Sequence, residues 1–161
     1  MMTGPKDWIM DSVVGAKMGV CCVYYPEGAT WNNAETVMYP NIVIKHQGTN
    51  TVEEFMASDL RGFRKENPEM KYEDAPPIAM KDRRIARVRY FYGVNHQSFE
   101  AVAYVDEEKV IALIVVSSRT KKGLNDTLPL LRACLESYMF MDVHVMKDDD
   151  RATKAQQHPK D

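Results

Sequence analysis

The sequence lacks any long hydrophobic run, and this absence bounds where the chain is expected to work. No stretch approaches the roughly 20 apolar residues that a membrane-spanning helix needs. The opening MMTGPKDW has neither the basic nor the apolar region of a signal peptide. The sequence as written therefore predicts no membrane span. It predicts a cytoplasmic location, and a periplasmic one if an export signal has been removed.

Cysteine and histidine are scarce, with 3 and 4 residues respectively. Cys21 and Cys22 are neighbours whose side chains point to opposite faces of a strand, so they are a poor disulfide pair. Whether these two are buried or reactive stays open. Cys134 lies among the apolar residues of a predicted helix, which favours a core position. No two histidines have the spacing that places both on one metal ion, so we predict no metal site. No motif predicts a cofactor or a catalytic residue, and whether distant residues assemble a Cys-His-acid or Ser-His-acid triad stays open.

The sequence also lacks an excess of charge of one sign. Its 21 basic and 23 acidic side chains give a net charge of -2, whereas proteins that bind nucleic acid carry a basic surplus. This argues against nucleic acid as a partner. The 161 residues, 45% of them apolar, suit one globular domain. We predict a single domain over residues 1–147 and a mobile C-terminal tail over 148–161, where apolar periodicity is absent.

Hydrophobic periodicity predicts two amphipathic helices. The first begins at a capping box made by Thr51 and Glu54, and it ends before a proline because proline disfavours helical geometry in the residue that precedes it. The second lies within GLNDTLPLLRACLESYMFMD, with Asn125 or Asp126 as its N-cap. That start places Pro129 in the first turn, where its missing amide hydrogen costs little.

Alternating patterns and turn residues predict the strands. The stretch VIALIVV is apolar at seven consecutive positions, so neither of its faces is meant for water and the strand is expected to be central. The connections before it are too short for parallel crossovers, which makes the sheet mainly antiparallel. Together with the helices, this predicts an α/β fold in which helices flank a mainly antiparallel central sheet as an α/β/α sandwich. The predicted strands are 19–25, 41–46, 84–92, 98–106 and 109–117, with a further extended segment at 70–80 and a short edge strand at 143–146.

Five stretches of the chain carry a family resemblance. They are a VYYPEGATW turn, a YPNI strand start, a TVEEFMASDL helix, an AVAYVDEEKVIALIVVSSR hairpin and an LRACLESYMF helix. Across residues 8–141 they resemble uncharacterised bacterial proteins of the PsbP-like group. The resemblance implies an α/β/α sandwich shared with PsbP, the extrinsic photosystem protein, and with a small nuclear-import factor that binds the GTPase Ran. Both are binding proteins without a catalytic centre, but no motif here matches either branch, and a fold alone does not fix a function.

Two surfaces are candidates for binding a protein or a small-molecule partner. Trp31, Asn33 and Tyr39 follow the first predicted strand. Trp and Tyr side chains pair an apolar body with a polar tip, which suits a recognition pocket. The alternative is that the aromatic side chains of this stretch pack a folded corner. Arg87 and Arg89 share one face of the strand at 84–92, which suits an acidic partner or a nucleic acid. The alternative there is a charged outer face that discourages edge pairing.

The third candidate is the loop of Ser117, Ser118 and Arg119, which leads from the central strand to a helix N-terminus. Unpaired amides at such a terminus attract anions, although a solvated turn accounts for the same residues. We expect a non-enzymatic binding or assembly module for an unknown protein or small-molecule partner. The alternative function is a small hydrolase or transferase with an anion-binding strand-to-helix loop at Ser117–Arg119.

Overall fold

The structure is a computed structural model in which residues 2–94 and 98–140 are described. These described residues form three helices and one seven-stranded sheet. The edge strand predicted at 143–146 and the tail predicted at 148–161 lie outside the described residues. The strands are β1 (Trp8–Asp11), β2 (Val23–Pro26), β3 (Thr36–Ile44), β4 (Lys71–Ala79), β5 (Ile85–Val94), β6 (Ser98–Asp106) and β7 (Val110–Ser118), and the helices are α1 (Ser12–Met18), α2 (Val52–Glu66) and α3 (Lys121–Glu136).

The sheet has the strand order β1-β2-β3-β7-β6-β5-β4, and each described pairing is antiparallel. The apolar run VIALIVV lies in β7, the middle strand, as its composition predicts. Helices α2 and α3 cover opposite faces of this strand, so the predicted α/β/α sandwich is confirmed. On β7, Ile111, Leu113 and Val115 pack in the core under α2, whereas Ala112, Ile114 and Val116 pack in the core under α3.

Helix α2 has the boundaries that its sequence predicts. The Thr51 hydroxyl accepts a hydrogen bond from the amide of Glu54 at 3.2 Å, and the Glu54 carboxylate accepts one from the amide of Thr51 at 3.2 Å. This capping box is confirmed. Val52 and Met56 are buried against the sheet. Among the described residues, none of the helices combines the length and apolar character needed to cross a membrane.

Helix α3 begins earlier than predicted. Its N-cap is Thr120, whose hydroxyl accepts a hydrogen bond from the amide of Gly123 at 2.9 Å. The prediction of Asn125 or Asp126 as the cap is therefore wrong. The backbone is extended at Thr120 and helical from Lys121, so the helix has already begun before Asn125. As a consequence, Pro129 lies in the helix interior and not in the first turn, so it has no amide hydrogen to donate to the carbonyl of Asn125.

Strand β1 and helix α1 were not predicted, and they change the boundary of the next strand. The Asp11 carboxylate caps α1 by accepting from the amide of Val14 at 2.9 Å, and it also accepts from the Tyr25 hydroxyl at 2.8 Å. Gly19 ends α1 with a left-handed φ of 73°, which glycine adopts without strain. The strand predicted from residue 19 therefore begins at Val23.

Two further strands are longer or more regular than their sequences indicate. Strand β3 starts at Thr36 and not at residue 41, and it runs through Pro40. The uncertain segment at 70–80 is the edge strand β4, whose pairing shifts between Ala75 and Ile78, where two prolines intervene. Prolines are tolerated there because an edge strand pairs on one side alone.

Candidate functional site

The Trp31 turn and the loop after β7 meet at one end of the sheet, and hydrogen bonds tie them together. The Arg119 amide donates to the carbonyl of Glu35 at 2.9 Å, and the Arg119 guanidinium donates to the carbonyl of Asn32. The Thr120 hydroxyl donates to the Glu35 carboxylate at 2.5 Å. We call residues 30–35 together with 117–120 the corner. The structure thus brings two of the three predicted candidate regions into one site.

The aromatic residues in and beside the corner divide between core and surface. Tyr25 is buried, whereas Trp31 and Tyr39 are half-buried. The rings of Trp31 and Tyr39 pack edge to face, with centroids 6.1 Å apart. Asn33 is exposed, and its side-chain carbonyl accepts from the amide of Thr30 at 2.6 Å. The corner is therefore a folded one, and it still presents parts of Trp31 and Asn33 to solvent.

The N-terminus of α3 already has a carboxylate beside it. The Glu35 carboxylate is held there by Thr120, and a Cβ built on Gly123 would lie 3.1 Å from its oxygen. This negative charge is favourable at a helix N-terminus, so an incoming anion would have to compete with Glu35. Ser118 is buried and shares a hydrogen bond of 2.8 Å with the hydroxyl of Thr36, which gives it a structural role.

Ser117 points to the opposite face of the sheet, where it contacts a buried carboxyl group. Its hydroxyl donates to Glu100 at 3.1 Å, because β6 and β7 pair with these two residues in register. Glu100 is 6% exposed, and its burial raises the pKa to about 7, with a further contribution from nearby Asp59. Sequence reasoning missed Glu100, although the signal is present: it shares a strand face with the apolar Val102 and with Tyr104.

A second carboxyl group, that of Asp59, lies near Glu100 on the side of α2 that faces the sheet. The Tyr104 hydroxyl donates to the Asp59 carboxylate at 2.6 Å. Burial raises the pKa of Asp59, although the hydrogen bond from Tyr104 opposes the shift. Burial also raises the pKa of the Tyr39 phenol, and the two carboxyl groups add to that shift. The space between α2 and the sheet therefore holds two carboxyl groups with raised pKa values, next to hydroxyl groups that hydrogen-bond them.

Arg87 and Arg89 share one face of β5, as predicted, but they have different surroundings. The Arg89 side chain is 10% exposed and donates to Asp74 at 2.6 Å and to the carbonyl of Met56 at 3.0 Å. The Arg87 side chain is 45% exposed and pairs with Glu53 at 2.9 Å. Only Arg87 of this pair is therefore accessible to a partner molecule.

The cysteines are divided between core and surface. Cys22 and Cys134 are buried, and Cys21 is exposed. Burial raises the pKa of both buried thiols, that of Cys134 to about 11, which disfavours the reactive thiolate. The predicted core position of Cys134 is confirmed. Within residues 2–94 and 98–140, no group of three His, Cys, Asp or Glu side chains is placed to hold a metal ion.

Comparison with known proteins identifies the fold and no more than the fold. No protein-family model matches the chain, and no curated protein matches it in sequence. Among solved structures, the chain is similar to the solution structure of cyanobacterial PsbP (CyanoP) from Synechocystis sp. PCC 6803, with a TM-score of 0.53 and 14% sequence identity. The match covers 87% of this chain and 85% of the other. The chain therefore has a PsbP-like fold.

Proposed function

We propose that this protein is a non-enzymatic binding or assembly module and that the corner contacts its partner. The observation that carries the proposal is the joining of the Trp31 turn to the loop after β7 by the hydrogen bonds of Arg119 and Thr120. These bonds hold the turn that carries the half-buried Trp31, and the ring of Trp31 packs on Tyr39, before any partner arrives. Aromatic side chains held in place in this way are typical anchors of binding surfaces, since little conformational entropy is lost on association.

The corner favours a protein partner over a small molecule. Its accessible groups are part of Trp31 and the neighbouring Asn32, Asn33 and Arg119, and they combine one apolar anchor with a polar rim. An apolar centre surrounded by polar groups is the usual arrangement in a protein–protein interface. Arg87 lies outside the corner and forms a mixed patch with Glu53. We propose this patch as a secondary contact for an acidic group of the partner.

Site-specific photo-crosslinking tests the binding proposal. A photo-reactive amino acid replaces the exposed Asn33 in the corner. In a control protein it replaces Ile44, which is 74% exposed at the other end of β3. After irradiation in the source cell, we expect one protein to be cross-linked from position 33 and not from position 44. Trp31→Ala in the same protein should abolish that product. The proposal is wrong if position 33 gives no product, or the same products as position 44.

A second candidate function is a small hydrolase or transferase, and one observation favours it. The Ser117 hydroxyl lies 3.1 Å from Glu100, and a carboxyl group with a pKa of about 7 suits a general base at neutral pH. Arg119 does not join this pair, because its guanidinium donates to the carbonyl of Asn32. The pair therefore supplies a nucleophile and a base from neighbouring strands, without the anion-binding loop that the sequence predicts for this function.

A serine-directed phosphonate probe distinguishes this second function from the first. If Ser117 is a nucleophile, the probe should attach to it, and Glu100→Gln should slow the labelling at least tenfold because the base is lost. Mass spectrometry of the digested protein locates the adduct. Labelling that is absent from Ser117, or unchanged in the Glu100→Gln variant, excludes the pair as a catalytic unit.

A further inference from the structure

The face of the sheet under α3 is covered unevenly. On one flank of α3, residues near the start of the chain pack against the helix. The Thr3 amide donates to the Ser137 hydroxyl at 3.1 Å, and the Cys134 thiol donates to the carbonyl of Thr3 at 3.4 Å. On the other flank, α3 and the strands β4 and β5 enclose a groove of about 420 Å³. This volume lies within the range of small-molecule sites, roughly 300 to 1,000 Å³. We call this space the α3 groove.

The floor of the α3 groove is apolar. Ile78, Val88 and Leu131 are buried beneath it, and Leu128 is half-buried at its side. Pro76 lies in the irregular part of the edge strand and forms part of the opposite wall. The surface therefore offers an apolar contact between a helix and an edge strand, where burial of an apolar chain is favourable.

Three polar side chains border this apolar floor. They are Asn125 and Arg132, which are exposed on the same stripe of α3, and Tyr90, which is half-buried on β5. Within the described part of the chain, none of the three side chains makes a hydrogen bond or an ion pair. The guanidinium of Arg132 and the hydroxyl of Tyr90 are therefore available as donors to a ligand at the rim of the groove.

Pro129 also lines the groove, and its position is costly for the helix. A proline in a helix interior removes one hydrogen bond and costs about 3 kcal/mol relative to alanine. Departures from local preferences of this kind concentrate at functional sites. Pro129 leaves the carbonyl of Asn125 without its helical donor at the rim, which is a second reason to regard the α3 groove as a ligand site.

We propose that the α3 groove binds a small molecule with an apolar chain and a terminal carboxylate, as in a medium-chain fatty acid. The apolar floor takes the chain, and Arg132 takes the carboxylate. A singly charged head group fits better than a phosphate, because Arg132 is the one cation among the residues that line the groove. In addition, the acidic Glu73 lies opposite Tyr90 on the neighbouring strand β4, where it accepts a hydrogen bond from the Tyr92 hydroxyl at 2.7 Å.

Titration of the full-length, ¹⁵N-labelled chain with sodium decanoate at pH 7 tests this site by NMR. We expect saturable shifts of amide signals from β4, β5 and α3 around the groove. Arg132→Gln should weaken decanoate binding about tenfold, the effect of losing a charge-assisted hydrogen bond. The same variant should leave the weaker binding of uncharged decanol unchanged. Arg61→Gln, at an exposed arginine of α2, is the matched control and should have no effect.

A blocking variant completes the test. Asn125→Trp places a bulky ring at the exposed rim, and it should abolish binding of both compounds while the remaining spectrum shows an intact fold. Trp31→Ala should not alter decanoate binding, because the corner and the groove are separate sites. The proposal is wrong if the shifts do not saturate, if they lie away from the groove, or if Arg132→Gln and Arg61→Gln weaken decanoate binding equally.

Discussion

Arg87 and Arg89 lie two residues apart on one face of β5, and their contacts predict very different effects on stability. Arg89→Met removes the two charge-assisted hydrogen bonds that the buried guanidinium donates to the carbonyl of Met56 and to Asp74. We expect the free energy of unfolding to fall by about 2 to 3 kcal/mol. Arg87→Met removes an exposed ion pair with Glu53, and we expect a loss below about 0.5 kcal/mol. Urea denaturation at pH 7 measures both changes.

Two outcomes would contradict the predicted difference in stability between Arg89→Met and Arg87→Met. The two variants remove the same charge from the same strand, so global charge effects cancel between them. Equal losses of stability would mean that the contacts of Arg89 contribute no more than an exposed ion pair does. A larger loss from Arg87→Met would contradict the burial difference altogether.

Glu100 predicts a dependence of stability on pH. Its pKa is about 7 in the folded chain, against an ordinary value of 4.5, because burial disfavours the charged form. Between these two values the folded chain keeps a proton that the unfolded chain has released. The stabilising contribution is therefore fully present below pH 4.5 and is lost as the pH rises to about 7. A shift of this size corresponds to a loss on the order of 3 kcal/mol.

Glu100→Gln isolates this contribution, because glutamine keeps the size of the side chain and cannot ionise. The variant should gain about 3 kcal/mol relative to the wild type between pH 4.5 and 7.5. Urea unfolding of both proteins across this range gives the difference. Asp59 also has a raised pKa, but it is present in both proteins and largely cancels. A difference that does not change with pH would show that Glu100 ionises normally in the folded chain.

These residues also show what periodicity can and cannot predict. Alternation along β5 predicts that Arg87 and Arg89 share a face, and they do. It cannot predict that Asp74 reaches Arg89, because that pairing depends on the register of a neighbouring strand with an irregularity. The burial of Glu100 likewise depends on where α2 crosses the sheet, which no local pattern contains.

At the scale of elements, the two helices differ in how closely they approach their neighbours, and a pair of glycines tests this. A Cβ on Gly123 of α3 would lie 2.5 Å from the Ser118 hydroxyl and 2.8 Å from that of Thr36, whereas a Cβ on Gly62 of α2 would meet nothing within 4 Å. We expect Gly123→Ala to cost about 1 to 3 kcal/mol and Gly62→Ala to stabilise by about 0.5 to 1 kcal/mol.

Thermal and urea denaturation measure these opposite signs directly. Both substitutions raise helix propensity equally, so any difference between them reports the packing around Cβ. If both variants are more stable than the wild type, the buried hydroxyl pair of Ser118 and Thr36 is able to move aside. The close docking of the α3 N-terminus would then not require glycine.

The elements that sequence reasoning missed are those that depend on distant contacts. Helix α1 is short and contains Gly15, where a Cβ would lie 2.5 Å from the Cα of Cys22. Its stability therefore comes from packing on β2 and from the cap at Asp11, because isolated helices of this length are not stable in water. Helix α2 was predictable because its capping box and its apolar stripe are both local.

For the whole molecule, the position of β7 could be predicted from its composition, whereas the ends of the sheet could not. A strand that is apolar at every position needs cover on both faces, and this requirement fixes the sandwich around it. Strand β1 carries no such signal. It pairs on one side with β2, and its Ile9 and Met10 are 40% and 61% exposed. The centre of the sheet is therefore expected to be more stable than this edge.

Native-state hydrogen exchange tests this gradient of stability. We expect the amides of β7 to exchange only through global unfolding, and those of β1 and α1 through a smaller opening that leaves β7 intact.

Ile114→Val removes one buried methyl group from the core and should cost about 1 kcal/mol. It should therefore speed exchange in β7 about fivefold and leave β1 unchanged, because the smaller opening does not expose Ile114. Asp11→Ala should speed exchange in both regions, since each opening breaks the contacts of Asp11. Equal acceleration of β1 and β7 by Ile114→Val would show that the sheet opens as one cooperative unit.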